Sequence, residues 1–191
     1  MCTYAGTRAP TNSMYLIWPM TQATKKIKPA ARTAPVHDPV PTSGRRTQVR
    51  ESGVHGKGVY AIRPIKAGSK VLEYKGEIIT WEEALDRHPH DPEQPNHTFY
   101  FHLDDGHVID GKHKGNSAKW INHACEPNME AEQDGNRVFL KALRDIKVGE
   151  ELFFDYGLII DARLTAKLKK EYACWCGAAS CRGTMLASRR R

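Results

Sequence analysis

The sequence predicts a mostly β domain (β+α) of several small sheets with a few short helices, preceded by a basic, Pro-rich tail. Three observations carry this. Short runs rich in β-branched and aromatic residues recur between Gly58 and Phe154, separated by Gly and Pro turns. Only two segments have the caps and spacing of helices. Residues 1–44 contain Pro10, Pro19, Pro29, Pro35, Pro39 and Pro41 without apolar periodicity, and proline at that density blocks helix and ladder formation.

The elements follow in order. Residues 1–44 are expected to be a disordered tail, with Lys25, Lys26 and Lys28 as a basic knot. Strands are expected at Gly58–Ile62, Lys70–Tyr74, Thr98–Leu103, Val108–Ile109, Arg137–Leu140 and Glu151–Phe154. The first helix starts at Thr80, where Thr80-Trp81-Glu82-Glu83 has capping-box spacing, and stops before Pro89. His88–His97 reads as a Pro-rich surface loop, with metal binding by its histidines the alternative. The second helix is expected over Asp161–Tyr172, with Leu164 and Leu168 on one face. The division is therefore a tail (1–44), a main domain (45–160), a linking helix (161–171) and a C-terminal cysteine segment (172–188).

Charge narrows the function classes. The 191-residue chain carries a net +7, but residues 1–50 hold eight Lys/Arg against Asp38 alone, and Arg189, Arg190 and Arg191 close the chain. Residues 51–188 hold 18 basic and 21 acidic residues, a net of −3. A mildly acidic body argues against direct, sequence-specific nucleic-acid binding and suits a basic partner. No apolar run approaches the roughly 18–20 residues of a membrane span, and no secretory signal is readable, so membrane association is not expected.

Three of the five cysteines fall in C-W-C-G-A-A-S-C as Cys174, Cys176 and Cys181. A tetrahedral zinc site wants four thiolate or imidazole ligands, and Cys125 in N-H-A-C-E-P-N is the natural fourth. A disulfide is the alternative. The Cys174/Cys176 spacing would strain it, and a cysteine would be left over.

The motifs converge. The succession G-K-G-V-Y-A (56–61), V-L-E-Y-K-G-E-I-I (71–79), Y-F-H-L-D (100–104), W-I-N-H-A-C-E-P-N (120–128), G-E-E-L-F-F-D-Y-G (149–157) and C-x-C-x4-C-R-G (174–183) resembles SET-domain protein lysine methyltransferases with a post-SET zinc segment. The resemblance covers about residues 45–187. It implies the SET fold, with the N-H-x-C-x-P-N strip and the E-E-L-x-F-D-Y segment threaded as a pseudoknot, and S-adenosylmethionine as methyl donor. Lys119-Trp120 stands where the family has Arg-Phe, and Ala124 where it often has Ser. No cysteine-rich pre-SET segment precedes the motifs, which suggests a compact, bacterial-type member.

By resemblance, Tyr156 is the first catalytic candidate, Tyr74 lines the same lysine channel, and Phe154 leaves room for di- or trimethylation. Lys57, Gly58, Tyr100, Lys119, Asn122, His123 and Trp175 are the cofactor-binding candidates. Cys125, Cys174, Cys176 and Cys181 would hold a structural Zn2+. Asp155 reads as structural, because strand alternation turns it away from Tyr156. The implied partner is a basic protein tail, histone first. The implied location is chromatin for a eukaryotic source, and for a bacterial one the cytoplasm or a host nucleus. A silent SET module binding proteins or chromatin, a methyltransferase of a non-histone basic protein and a zinc-stabilised nucleic-acid binder are the competing readings. The silent module would be marked by loss of Tyr156, Asn122 or His123, and all three are present.

Overall fold

A computed structural model describes residues 44–87, 99–159 and 163–187. The tail, the cysteine at position 2, the whole His88–His97 loop and the terminal arginines lie outside the described residues.

Among the described residues, ten strands form three small sheets. Strands β1 (Thr47–Glu51) and β2 (Lys57–Ala61) make an antiparallel pair. The five-stranded sheet has the order β3-β9-β8-β10-β7, with β3 at Lys70–Tyr74, β7 at Asn122–His123, β8 at Met129–Asp134, β9 at Arg137–Ala142 and β10 at Phe153–Phe154. The third sheet sets β6 (Val108–Asp110) between β4 (Glu77–Ile79) and β5 (Tyr100–His102). The predicted β class holds, but β1, β4, β7 and β8 were not predicted as strands. β8 reads M-E-A-E-Q-D, and its polar side chains face lysines: Lys70 and Lys141 both reach Glu132. Pairing to β9 makes it a strand, and its composition does not.

Helix α1 (Trp81–Arg87) begins at the predicted box: the Thr80 N–H donates to Glu83 Oε2 (2.9 Å) and the Glu83 N–H to Thr80 Oγ1 (3.2 Å). Helix α2 is shorter than expected, Ala166–Glu171. Thr165 caps it by accepting from the Leu168 N–H, so the helix starts five residues later than the predicted Asp161.

β10 gives the molecule its topology. It lies between β7 and β8, which are neighbours in sequence, and pairs parallel with both: Phe154 meets His123 on one side and Met129 on the other. Just before it, the Leu152 N–H donates to Val59 O, which seats the entering segment on β2 (2.7 Å). Asn128 stitches the crossing. Its amide donates to Glu151 O (2.8 Å) and its Oδ1 accepts from the Phe153 N–H (2.8 Å). Asn128 is only 4% exposed, so water cannot replace those bonds. Asn128→Ala strands two backbone groups, at about 1–3 kcal/mol each. The expected outcome is a loss of about 2–6 kcal/mol in denaturant unfolding.

The main core gathers Val59, Ile65, Tyr74, Phe101, Met129, Leu140, Leu152, Phe154, Tyr172 and Leu186. A satellite cluster of Ile79, Ala84, Tyr100 and Val108 lies under α1, with Trp81 packed on it. Gly76 joins β3 to β4 where no larger residue fits, because a Cβ there would run into the Asp110 carbonyl.

Candidate active site and metal centre

The threaded segment delivers its side chains in alternation. Phe154 and Tyr156 share a face, with ring centroids 4.9 Å apart, while Asp155 turns away. The Tyr156 hydroxyl donates to Ile121 O (2.8 Å). The Tyr74 hydroxyl donates to Phe99 O (2.9 Å). Burial pushes both phenols well above the usual tyrosine range, with the Glu151 carboxylate adding to the effect at Tyr156, and Tyr156 and the Asp110 carboxylate adding to it at Tyr74. Both are therefore neutral, and both have their protons committed to carbonyls. Phe154 is buried beside them.

Asn122 and His123 on β7 serve the protein with their side chains. The Asn122 amide donates to Lys57 O (2.9 Å), His55 O (3.2 Å) and Glu151 Oε1 (2.9 Å), which ties the 55–57 turn to the threaded segment. The His123 Nδ1 accepts from the Tyr156 N–H (3.2 Å), so the ring proton sits on Nε2, 3.5 Å from Cys125 Sγ. Burial lowers its pKa to about 4, against the opposing Asp155 charge. Gly58 admits a close neighbour, and that neighbour is the Glu151 carboxylate: a Cβ at Gly58 would collide with it. Glu151, which also accepts from Ser52 and Tyr60, was missed in the sequence because acids beside turns are common.

A second group lies at the Trp120 ring. Lys57 Nζ stands 4.8 Å from its centroid and Lys119 Nζ 5.2 Å, and Lys119 is also 5.4 Å from the Phe99 ring. Phe99 and Trp120 pack edge to face at 5.1 Å. Among the described residues neither ammonium has an ion-pair partner. Tyr100 is not brought to this group. It points into the satellite cluster, and Phe99, one residue earlier, holds the place beside Trp120 and Tyr74. The period of two along a strand explains the displacement: a one-residue error in phase exchanges the faces. Trp175 is 78% exposed and offers a free aromatic plane on the C-terminal segment.

The four predicted cysteines converge. Their sulfurs all lie within 4.8 Å of one another, with Cys125–Cys174 at 3.7 Å and Cys125–Cys181 at 3.9 Å. Four thiolates at about 2.3 Å from a tetrahedral ion stand about 3.8 Å apart, so the set fits zinc. The same distances are far too long for a disulfide, and all four cysteines are free. Backbone N–H groups already point at the sulfurs: Arg182 at Cys125 (3.3 Å), Gly183 at Cys181 (3.4 Å) and Cys125 at Cys176 (3.5 Å). Burial opposes ionisation of Cys176, but the Cys125 and Ala178 N–H groups and the neighbouring thiols outweigh it and bring its pKa to about 7.

The segment is latched to the main domain by two further contacts. Arg182 forks onto Asp155, Nη1 to Oδ2 at 2.6 Å and Nη2 to Oδ1 at 2.8 Å. Glu126 accepts from both the N–H and hydroxyl of Ser180. The expectation that Asp155 is structural agrees with this fork. Arg182 was not singled out in the sequence, although it lies inside C-R-G.

Residues 56–157, more than half of the chain, match the SET domain family. The chain is 35% identical over 146 residues to "Histone-lysine N-methyltransferase, H3 lysine-4 specific" of Mycosarcoma maydis, covering 74% of this chain and 10% of that protein. It is 35% identical over 153 residues to "Histone-lysine N-methyltransferase SUV39H2" of Xenopus tropicalis, covering 70% and 37%. Among solved structures it resembles a chain of "ctPRC2 in an autoinhibited conformation bound to S-adenosylmethionine", with a TM-score of 0.54 and 32% identity, covering 60% of this chain and 15% of that one. The chain thus spans only a small part of these proteins' length.

Proposed function

The chain belongs to the SET-domain family, and from that premise we propose that it is an S-adenosylmethionine-dependent protein-lysine N-methyltransferase acting on a basic tail, histone first. The observation that carries the reading is the pair of neutral, anchored phenols at Tyr74 and Tyr156.

S-adenosylmethionine supplies a methyl group on a sulfonium centre and a thioether leaving group. The substrate lysine must arrive neutral, though its free pKa is about 10.4. A dry channel beside a cation lowers that value, so the amine proton leaves to water before transfer. Neither tyrosine is a phenolate base, because burial holds both protons in place. Each hydroxyl oxygen, with its proton given to a carbonyl, keeps lone pairs for the amine N–H and the polarised methyl. That aligns nucleophile and methyl and supplies the effective concentration. Phe154 adds no hydroxyl to hold a water, which leaves volume for successive methylation. The unpaired ammoniums of Lys57 and Lys119 suit the cofactor's carboxylate, and Trp175 suits its adenine. Asn122 and His123, their side chains engaged, shape this pocket through the 55–57 turn and β7. Cys125, Cys174, Cys176 and Cys181 would hold zinc, and an all-thiolate set of four would give it a structural role. The mildly acidic body favours a basic peptide, and a histone substrate places the protein at chromatin.

The test is incubation of zinc-loaded protein with labelled S-adenosylmethionine, core histones, histone-tail peptides and a basic non-histone protein. Label on histones supports the whole reading. Label on the non-histone protein alone keeps the enzyme and replaces the substrate. Cofactor binding without any transfer overturns the enzyme in favour of a silent binding module.

A further inference from the structure

Tyr156 is bracketed by contacts that all lead to one sulfur. Its own N–H is held by His123 Nδ1, and the other ring nitrogen of His123 lies 3.5 Å from Cys125 Sγ. The residue before it, Asp155, is held by the Arg182 fork, and the Arg182 N–H donates to the same Cys125 Sγ. The residue after it, Gly157, donates its N–H to Asp155 Oδ1 (3.0 Å) and takes φ +56. Cys125, His123, Tyr156, Asp155 and Arg182 thus close a ring.

We infer that Arg182 is a positioning residue that couples the setting of Tyr156 to the assembled cysteine cluster. The methyltransferase reading enters only through the kinetic consequence. Arg182 sits between Cys181, a cluster member, and Gly183, whose N–H donates to the Cys181 sulfur at φ +70. The guanidinium therefore reaches Asp155 with this turn folded onto the four sulfurs. The pair is partly shielded, at 29% and 35% side-chain exposure, and bidentate, so it fixes direction as well as distance. A lysine cannot reproduce that, because it lacks the planar fork. The four sulfurs come from other residues, so the cluster can form without the Arg182 side chain.

The experiment compares wild type, Arg182→Ala, Arg182→Lys, Asp155→Asn and the Arg182→Ala/Asp155→Asn double variant in the full chain. Metal content, amide hydrogen exchange and steady-state kinetics are measured on each. Metal content is expected to stay at the wild-type ratio. Exchange at the Tyr156 and Gly157 amides should accelerate by about tenfold or more in Arg182→Ala, with the β8 and β9 amides unchanged. The kcat should fall about 10- to 100-fold, as outer partners of metal sites do, with little change in the KM for cofactor. Arg182→Lys should recover little of it, and the double variant should be no worse than either single. Unchanged Tyr156 exchange with metal retained overturns the inference, and so does loss of metal in Arg182→Ala. If wild type transfers no methyl group, the methyltransferase reading fails, and the exchange comparison still decides the positioning role.

Discussion

Tyr156→Phe is expected to cut methyl transfer by about 10²- to 10³-fold while the protein still folds and binds cofactor. The substitution removes one oxygen. The ring stays, packed 4.9 Å from Phe154 and 5.4 Å from His123, and the backbone bond to His123 Nδ1 is untouched. What disappears is a hydroxyl whose proton is fixed on Ile121 O and whose lone pairs are therefore aimed. An interaction made chiefly in the transition state lowers kcat and leaves KM nearly alone. The stability cost is one hydrogen bond plus an unpaired Ile121 carbonyl, about 1–3 kcal/mol. Single-turnover transfer with saturating cofactor, read beside a thermal melt, separates the two effects. Retention of near-wild-type kcat would remove Tyr156 from catalysis.

Metal removal should have an effect as large by another route. Chelation at neutral pH is expected to abolish activity while the far-ultraviolet circular dichroism of the sheets changes little. The C-terminal segment is pinned at both ends by apolar contacts independent of metal. Tyr172 and Leu186 are buried, Leu186 bridges Leu158, and Thr184 bridges Ala173. Between these pins, the Cys174–Cys181 loop is closed by sulfur ligands, and Trp175 on it touches little else. Stripping the ion leaves thiolates crowded within 4.8 Å, which repel until the loop opens or the thiols protonate. Proteolysis confined to residues 174–183, with the rest resistant, is the expected pattern. Full activity in metal-free protein would sink the structural role of the cluster.

The sequence carried the chemistry more clearly than the architecture. Cys125 lies about fifty residues from its partners, yet its odd setting in N-H-A-C-E-P-N identified it, because thiols have few uses and a tetrahedral ion needs a fourth. Lys70–Tyr74 was legible to the residue, being bounded by turn signals and rich in β formers. Asn122–His123 was not legible as a strand, since two residues become one only by lying against β10. Tyr100 lies away from the Trp120 group for a related reason. Thr98–Leu103 is aromatic on both faces, so alternation alone does not say which aromatic looks at the site. Arg182 escaped notice because an exposed-looking arginine beside cysteines has many ordinary uses. Its meaning depends on Asp155, 27 residues earlier.

The passage of β10 between β7 and β8 also constrains how the chain reaches this state. Residues 122–129 must hold a strand-wide gap open until residues 151–154 arrive, or else reopen to admit them. The β8–β9 hairpin can form early because its partners are adjacent, whereas the insertion closes a long loop before any bond repays the lost entropy. During synthesis, a nascent chain that has emerged only as far as β9 presents two unfilled ladder edges, at β7 and β8, which are sticky surfaces for other chains. Assembly should therefore be slow and all-or-none around this one crossing, and Tyr156, two residues beyond it, is among the last groups to find its place.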